Sequence, residues 1–261
     1  MMQSLSDVSA NSVAIAEDNS GSGSSSGGMV ELVLRVAGPC FFLWMQLSAY
    51  RTSQDISSRK STGILPLIPF LSLLVNCIVW TFYGLLMKDM TVLVPNCLGV
   101  FTGAYCTFIH HHFSTQQQKA KAVKMFQIGA CVVVINTFLF MSGDAVKIGT
   151  IGCVLAVCLM ASPLSALQTV LDTHSTESMP FITSFAAFCN SMSWSAYGLY
   201  VSGDPMIYVP NLLGLAITSI QMMLFAKFGI SAASTPAIMS SSSTDGLNGM
   251  LSMPMRGSIE V

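Results

Sequence analysis

The chain has 261 residues, of which 52% are apolar and only 9% are charged, and its formal net charge is −1. This composition argues against a soluble domain of the same length and predicts a polytopic membrane protein. No basic block is long enough to suggest nucleic acid as a partner. All eight cysteines fall inside apolar segments without a Cys-x-x-Cys pair, so neither disulfides nor a zinc site is expected.

The two ends of the chain differ from the rest. Residues 1–28 are rich in Ser, Gly, Asn and Asp and contain no Lys or Arg, so they predict a disordered extracellular extension. They lack both the basic start and the apolar stretch of a signal peptide. Residues 230–261 are Ser-rich with few charges and predict a disordered cytoplasmic tail.

Seven apolar runs lie between these ends, each near the roughly 20 residues that span about 30 Å of hydrocarbon. The predicted spans are 30–50, 64–87, 91–113, 122–142, 147–170, 180–201 and 205–229. We divide this part of the chain into a first repeat (29–113), a linker helix (114–146) and a second repeat (147–229).

A compound motif occurs twice in the same order, which indicates an internal duplication. The first copy reads Asn76-x3-Trp80-x2-Tyr83-Gly84-Leu85, then Val94-Pro95-Asn96-Cys97-Leu98-Gly99. The second reads Asn190-x3-Trp194-x2-Tyr197-Gly198-Leu199, then Val209-Pro210-Asn211-Leu212-Leu213-Gly214. Spans 1–3 therefore pair with spans 5–7, and span 4 restores the orientation because three is odd. The predicted fold is an all-α polytopic membrane protein with seven transmembrane helices, in which the linker helix joins two parallel triple-helix bundles (3+1+3).

The basic residues predict the orientation. With the N-terminus outside, three lie on the outer side and eight on the inner side. The outer three are Arg35, Lys88 and Lys147; the inner eight are Arg51, Arg59, Lys60, Lys119, Lys121, Lys124, Lys227 and Arg256. This excess predicts an extracellular N-terminus and a cytoplasmic C-terminus.

The polar residues inside the spans argue against an enzyme. No Asp or Glu lies in the middle of a span, and the histidine run at 110–112 has no partners at metal-ligand spacing. We find neither a nucleophile–base pair nor a ligand cluster, so no catalytic residue, metal or cofactor is expected. A proton-coupled pump would usually keep an ionisable group inside the membrane, so a passive pathway is favoured.

The remaining intramembrane polar groups are neutral and match between the two copies. They predict a substrate site formed by Asn76, Trp80, Asn96, Asn190, Trp194 and Asn211. Amides offer donors and acceptors to hydroxyl groups, and an indole face suits the C–H face of a sugar ring. Two alternatives stay open: each Asn could serve only interhelical packing, and Trp80 and Trp194 could be anchors at the membrane interface. For the unmatched Trp44 we favour a structural role.

Prolines form the last group. Pro69 and Pro180 precede Phe near the inner ends of spans 2 and 6, and Pro163 lies inside span 5. A proline inside a helix removes a backbone hydrogen bond and permits a kink, which a moving helix can use as a hinge. A static kink is the alternative.

These residues resemble the SWEET (MtN3/saliva) family of sugar transporters, over about residues 32–229. The landmarks of the first copy are Lys60-Ser61-Thr62, Pro69-Phe70, Trp80-x2-Tyr83-Gly84 and Asn96-x2-Gly99. Those of the second are Ser162-Pro163, His174-Ser175, Met179-Pro180-Phe181, Trp194-x2-Tyr197-Gly198 and Asn211-x2-Gly214. Parallel repeats are a known property of this family, so the resemblance implies the same architecture as the repeated motif.

The resemblance implies a bidirectional, energy-independent sugar uniporter. Asn96 and Asn211 match the central substrate asparagines, and Trp80 and Trp194 match the flanking tryptophans. Asn at positions 76 and 190, rather than the small Ser that accompanies disaccharide transport in the family, implies a hexose site. Tyr83 and Asp204 resemble an outer-gate pair.

One departure concerns span 1, where Ala49 stands in place of an expected hinge proline equivalent to Pro163. We predict a stiffer span 1 and asymmetric gating.

The expected partners are a small neutral sugar and the lipid bilayer, and the expected location is the plasma membrane. The oligomeric state stays open, although a homo-oligomer would suit the family. Two alternatives remain. The first is a transporter or cargo receptor of the PQ-loop type for another neutral solute, which would usually show Pro-Gln dipeptides. The second is a seven-helix receptor, which would not explain the repeat.

Overall fold

A computed structural model describes residues 23–231, and their regular structure is entirely helical. Eight α-helices follow one another: α1 (Gly23–Arg59), α2 (Ile68–Met87), α3 (Met90–His112), α4 (Gln116–Met141), α5 (Ala145–Leu159), α6 (Ala161–Thr173), α7 (Phe181–Tyr197) and α8 (Pro205–Phe228). A 3-10 turn (Thr176–Ser178) precedes α7, and a π-helical turn (Gly198–Ser202) follows it.

The helices correspond to the seven predicted spans, with α5 and α6 together forming the fifth. Six helical stretches in the described chain are long and apolar enough to cross a membrane, and Ala145–Thr173 is one of them. The sixth predicted span is α7, which has 17 residues and continues through the five-residue π turn. The all-helical, multi-span fold class is therefore confirmed.

The first helix begins earlier than predicted. Residues 23–28, which the composition assigned to a disordered extension, form the first turns of α1. A helix that an apolar span has already nucleated gains one hydrogen bond for each residue added, which explains this extension. The remaining parts of the predicted termini, 1–22 and 232–261, lie outside the described residues.

The fifth span, in which Pro163 was predicted to permit a kink, is interrupted about one turn before that proline. It ends as α5 at Leu159 and resumes as α6 at Ala161, with Met160 between them. Pro163 then lies in the first turn of α6, where its missing N–H would have no intrahelical partner. In contrast, α1 continues unbroken past Ala49, the equivalent of Pro163.

The other two predicted hinge prolines begin helices rather than interrupt them. Pro69 is in the first turn of α2, and Pro180 is the N-terminal cap residue of α7. At these positions a proline removes no intrahelical hydrogen bond. The predicted kinks at Pro69 and Pro180 are therefore wrong, and both residues fix the direction in which a helix starts.

Within each repeat, the second and third helices pack closely. Gly103 of α3 lies against the backbone of Leu74 in α2, and Gly198 lies against Tyr208. Between the repeats, α1 packs against α7 and α2 packs against α5, so each first helix contacts the second helix of the other bundle. The linker helix α4 packs on α2 and α5.

Equivalent turns connect the second and third helices of each repeat. Lys88 adopts a left-handed conformation (φ 54°) before Asp89, and Gly203 does so (φ 66°) before Asp204. The second turn is one residue longer, so the repeat offset changes from 114 (Asn76 to Asn190) to 115 (Asn96 to Asn211). Each aspartate is the N-terminal cap of a third helix.

The approach of α2 to α3 depends on Gly103. A Cβ atom there would lie 2.8 Å from the backbone N and Cα of Leu74, which cannot move aside. We expect Gly103→Ala to destabilise the fold by about 1–3 kcal/mol through overpacking, measured by thermal unfolding in detergent. Gly28→Ala is the matched control, because nothing lies within 4 Å of the place that its Cβ would take and alanine favours helix. Equal stability of the two variants would contradict the prediction.

Candidate functional site

A cavity of about 290 Å³ lies between the two bundles. Its walls come from helices of both repeats, and it brings together all six residues predicted as a substrate site: Asn76, Trp80, Asn96, Asn190, Trp194 and Asn211. The predicted hinge residue Pro163 and the neighbouring Met160 also line it, whereas Pro69 and Pro180 do not.

The Val-Pro-Asn motifs orient the two central amides. Pro95 and Pro210 lie inside helices, where neither has an N–H for the preceding turn. In each motif the asparagine side chain donates to the carbonyl four residues earlier in its own helix: Asn96 Nδ2 to that of Val92 (2.8 Å) and Asn211 Nδ2 to that of Ile207 (2.7 Å). Each amide therefore stays satisfied by its own helix, while its oxygen and second N–H are free to contact a ligand.

The carbonyl oxygens of the other two amides receive no hydrogen bond. The Oδ1 atoms of Asn76 and Asn190 are buried and accept no hydrogen bond. A buried acceptor left unpaired costs about 1–3 kcal/mol, and a ligand hydroxyl that donates to it would remove that cost. The interhelical packing alternative does not account for these oxygens, because it requires them to be paired between helices.

Both tryptophans lie where the repeats touch. Trp194 packs against Gly38 of α1, and Trp80 packs against the equivalent Gly152 of α5; a Cβ at either glycine would lie 3.0 Å from the indole. Trp194 is only 7% exposed, which does not fit an anchor at the membrane interface. Trp44, in contrast, is 59% exposed and lies outside the site.

Two reciprocal hydrogen bonds close the bundle at one end, which we call the gate end. Tyr83 Oη donates to Asp204 Oδ2 (2.5 Å), and Tyr197 Oη donates to Asp89 Oδ2 (2.7 Å). Each of these bonds joins a tyrosine of one repeat to an aspartate of the other. The family resemblance singled out only the first pair, although applying the repeat offset to it would have produced the second.

The gate connects directly to the cavity. Each tryptophan meets the tyrosine of its own repeat edge to face, Trp80 with Tyr83 at 5.4 Å and Trp194 with Tyr197 at 5.7 Å between ring centroids. Each indole of the cavity thus contacts a tyrosine of the gate end directly.

The apolar packing shows the same closure. One buried cluster at the gate end combines residues of both repeats: Val79, Tyr83, Val92, Ile148, Trp194, Tyr197 and Ile207. The buried clusters toward the opposite end each belong to a single repeat, one of them with Ala122 of the linker helix. The bundles are thus joined at the gate end, and their buried cores are separate at the other.

Each bundle is tied internally at that opposite end. Thr62 Oγ1 donates to Gln118 Oε1 (2.9 Å), and the equivalent Thr176 donates to the Gly229 carbonyl (2.8 Å). Both threonines are buried. These bonds hold the loop after each first helix to its own repeat or to the linker, so they leave the two bundles free to separate there.

The gate is not fully symmetric. The Arg35 guanidinium lies 5.9 Å from the centre of the Tyr197 ring and is paired with Glu31 (2.8 Å). At the equivalent place Gly149 packs against Tyr83, and a Cβ there would lie 2.7 Å from the ring. One tyrosine is therefore covered by a charged side chain and the other by backbone.

Comparison with known families matches this architecture. The family model described as sugar efflux transporter for intercellular exchange (MtN3/saliva) matches the chain twice, over residues 33–118 and 146–233. The chain belongs to the SWEET, or MtN3/saliva, family. It is a multi-pass membrane protein.

Individual SWEET proteins cover most of the chain. It is 33% identical over 208 residues to the bidirectional sugar transporter SWEET2b of Oryza sativa subsp. indica, covering 74% of this chain and 87% of the relative. It is 28% identical over 180 residues to the sugar transporter SWEET1 of Danio rerio, covering 67% and 82%. A solved eukaryotic SWEET transporter superposes with a TM-score of 0.69 at 26% identity, covering 77% of this chain and 98% of that one.

The reciprocal gate predicts a crossed effect of tyrosine substitutions. Tyr83→Phe removes a partner of Asp204, so we expect faster amide exchange in the second repeat's turn, residues 203–209. Tyr197→Phe should act instead on residues 88–95. A hydrogen bond to a charged group is worth about 1.5–3 kcal/mol, so exchange should rise about tenfold or more.

Hydrogen–deuterium exchange with mass spectrometry measures both turns in one experiment. Tyr200→Phe is the matched control, because Tyr200 is 81% exposed and lies outside the gate. Exchange that rises only in the substituted residue's own repeat would show that the reciprocal bonds do not hold the gate.

Proposed function

We propose that this chain is a facilitative, bidirectional sugar uniporter for hexoses such as glucose, and that it works by alternating access. The observation that carries the proposal is the central cavity, whose polar lining includes four neutral amides, two from each repeat, beside two indoles and the hydroxyl groups of Ser191 and Thr218. The relatives are named bidirectional sugar transporters and sugar transporters, which supports the same substrate class.

The chemistry of the lining favours a neutral polyol. No residue that lines this cavity in the described chain is ionisable, so a charged substrate would find no counter-charge and a coupling proton no carrier. The free amide atoms can exchange hydrogen bonds with hydroxyl groups, and the indoles can cover the apolar face of a sugar ring. Because a passive carrier must release the sugar that it binds, the affinity should be weak. We expect a Kd in the millimolar range, which corresponds to a binding free energy of about 4 kcal/mol.

The size of the cavity favours a monosaccharide. Its volume of about 290 Å³ is at the lower end of ligand pockets, about 300–1,000 Å³. Asn76 and Asn190 both narrow it where a smaller side chain would leave room for a second ring. This is the physical reason for preferring a hexose over a disaccharide.

The charge distribution supports a cytoplasmic position for the end opposite the gate. Most basic residues lie at the end opposite the gate, among them Arg59, Lys119 and Lys227. By the positive-inside rule that end is cytoplasmic, and the gate and N-terminus are extracellular. The structure, closed at the gate, then corresponds to an inward-facing state at the plasma membrane.

Alternation requires one end to open as the other closes. The break at Met160 borders the cavity and lies at mid-span, where α6 can turn relative to α5. We propose that this break is the main hinge of the second repeat. The unbroken α1 should make the first repeat the stiffer half.

The direct test is labelled-glucose counterflow in proteoliposomes, with and without a pH gradient. We expect counterflow that does not depend on the gradient. Absence of flux would reject the sugar assignment, and gradient-driven accumulation would reject uniport. Solutes other than sugars, tested in parallel, distinguish a transporter of the PQ-loop type, and a seven-helix receptor would show no flux for any of them.

Within this assay Asn211→Ala should abolish counterflow while leaving expression intact, because it removes a central amide from the cavity. Asn136→Ala is the matched control. Asn136 makes the same bond to its own helix, Nδ2 to the Val132 carbonyl at 2.9 Å, but it lies in the linker helix outside the cavity. Equal loss in both variants would indicate a folding effect instead of a substrate contact.

Ala49→Pro tests the asymmetry of the two repeats. The substitution removes the N–H of residue 49 from an unbroken helix and should create a hinge equivalent to that of span 5. We expect the maximal rate of glucose exchange to change. The rate should be higher if the stiffness of α1 limits turnover. Ala49→Ser, which keeps the N–H, is the control. Unchanged kinetics in Ala49→Pro would remove the hypothesis.

A further inference from the structure

Gln46 is a buried polar side chain on α1 that lies behind the site and not in its lining. It is 4% exposed, and its Nε2 donates to the carbonyl of Pro95 in α3 at 3.2 Å. Its Oε1 is buried and accepts no hydrogen bond. The side chain thus connects two helices of the first repeat through its N–H alone.

The second repeat has no such connection. With the offset of 114, the equivalent of Gln46 is Met160, the residue at the helix break. The surroundings confirm the correspondence: Gln46 and Cys77 lie beside Gly99, as Met160 and Ser191 lie beside Gly214. Methionine cannot donate a hydrogen bond, so the carbonyl of Pro210 receives none from this position.

Packing alone does not explain an amide at position 46. A buried carbonyl oxygen without a donor destabilises the protein relative to an apolar side chain of similar volume. Met160 shows that such a side chain fits the equivalent place. The amide is therefore retained against a cost, and the bond to Pro95 is what it provides.

That bond acts on the peptide unit that carries Asn96. The Pro95 carbonyl and the Asn96 backbone nitrogen belong to the same planar group, so holding one fixes the other. Asn96 is also held through its side chain by Val92, and it is 6% exposed. Asn211 is held by Ile207 only, beside the break in span 5.

We propose that Gln46 is a positioning residue for Asn96, which makes the first repeat the fixed half of the site and the second repeat the adjustable half. This inference rests on the proposed function, because it assigns Gln46 to the binding of the transported sugar. Loss of the bond leaves the cavity lining intact but lets Asn96 move, so binding loses pre-organisation.

Gln46→Met tests the proposal by giving the first repeat the side chain of the second. We expect the KM for glucose counterflow to rise about three- to tenfold, the value of one neutral hydrogen bond. The melting temperature in detergent should be equal or higher, since the unpaired Oε1 is removed. A purely structural role would instead lower the melting temperature.

Gln54→Met is the matched control. Gln54 is also on α1 and also reaches α3, through Tyr105 at 3.0 Å, but it lies two turns farther along the helix from Gln46 and the site. Its KM should not change. An unchanged KM in Gln46→Met, a raised KM with a lowered melting temperature, or a variant that does not fold would each overturn the inference. The wild-type chain is measured first. If it exchanges no glucose, the proposed function is rejected, and the two variants are then not compared.

Discussion

The close approach of each first helix to a tryptophan of the other repeat fixes most of this structure. Gly38 meets Trp194 and Gly152 meets Trp80 so closely that a Cβ atom at either glycine would lie 3.0 Å from the indole. The two contacts are related by the internal repeat, so they set a single separation between the bundles. That separation determines the width of the cavity below the indoles and places each tyrosine within reach of an aspartate from the opposite bundle.

The membrane environment explains the chemistry of the site. An amide in hydrocarbon is costly unless it is paired, yet a binding site needs amide atoms that are free. Asn96 and Asn211 resolve this conflict, because each donates one side-chain N–H to the carbonyl four residues earlier in its own helix. Half of each amide is thereby stabilised by its own helix, and the other half remains for the substrate. The site can be empty without leaving these two groups wholly unpaired.

Much of this arrangement could be predicted from the sequence because it depends on repetition. Residues with the same spacing in two copies must lie at equivalent positions, so the six site residues and the 3+1+3 order followed directly from the motif. Repetition does not predict whether a proline interrupts a helix or begins a new one. Whether Pro163 kinks a helix or begins a new one depends on the turn before it, and Pro69 and Pro180 proved to be helix starts.

Features that depend on single unmatched residues were also hidden. Gln46 has no counterpart in the second copy, and a lone glutamine in an apolar span carries no periodic signal. Its hydrogen bond to the Pro95 carbonyl joins two helices that no sequence pattern relates at this position. The second gate pair, in contrast, was missed although the repeat contained it, since Tyr197 and Asp89 are the symmetry partners of residues already chosen.

In each gate aspartate the two carboxylate oxygens have different partners, and this difference affects how the gate can open. Asp89 uses Oδ1 to accept the N–H groups of Thr91 and Val92, and Asp204 uses Oδ1 to accept that of Met206. Only Oδ2 of each reaches a tyrosine. When a tyrosine leaves, the negative charge remains at the N-terminus of a helix, where the backbone dipoles favour it. In the transport cycle that we propose, opening therefore leaves each carboxylate bonded to its own helix, so the same seal can form again.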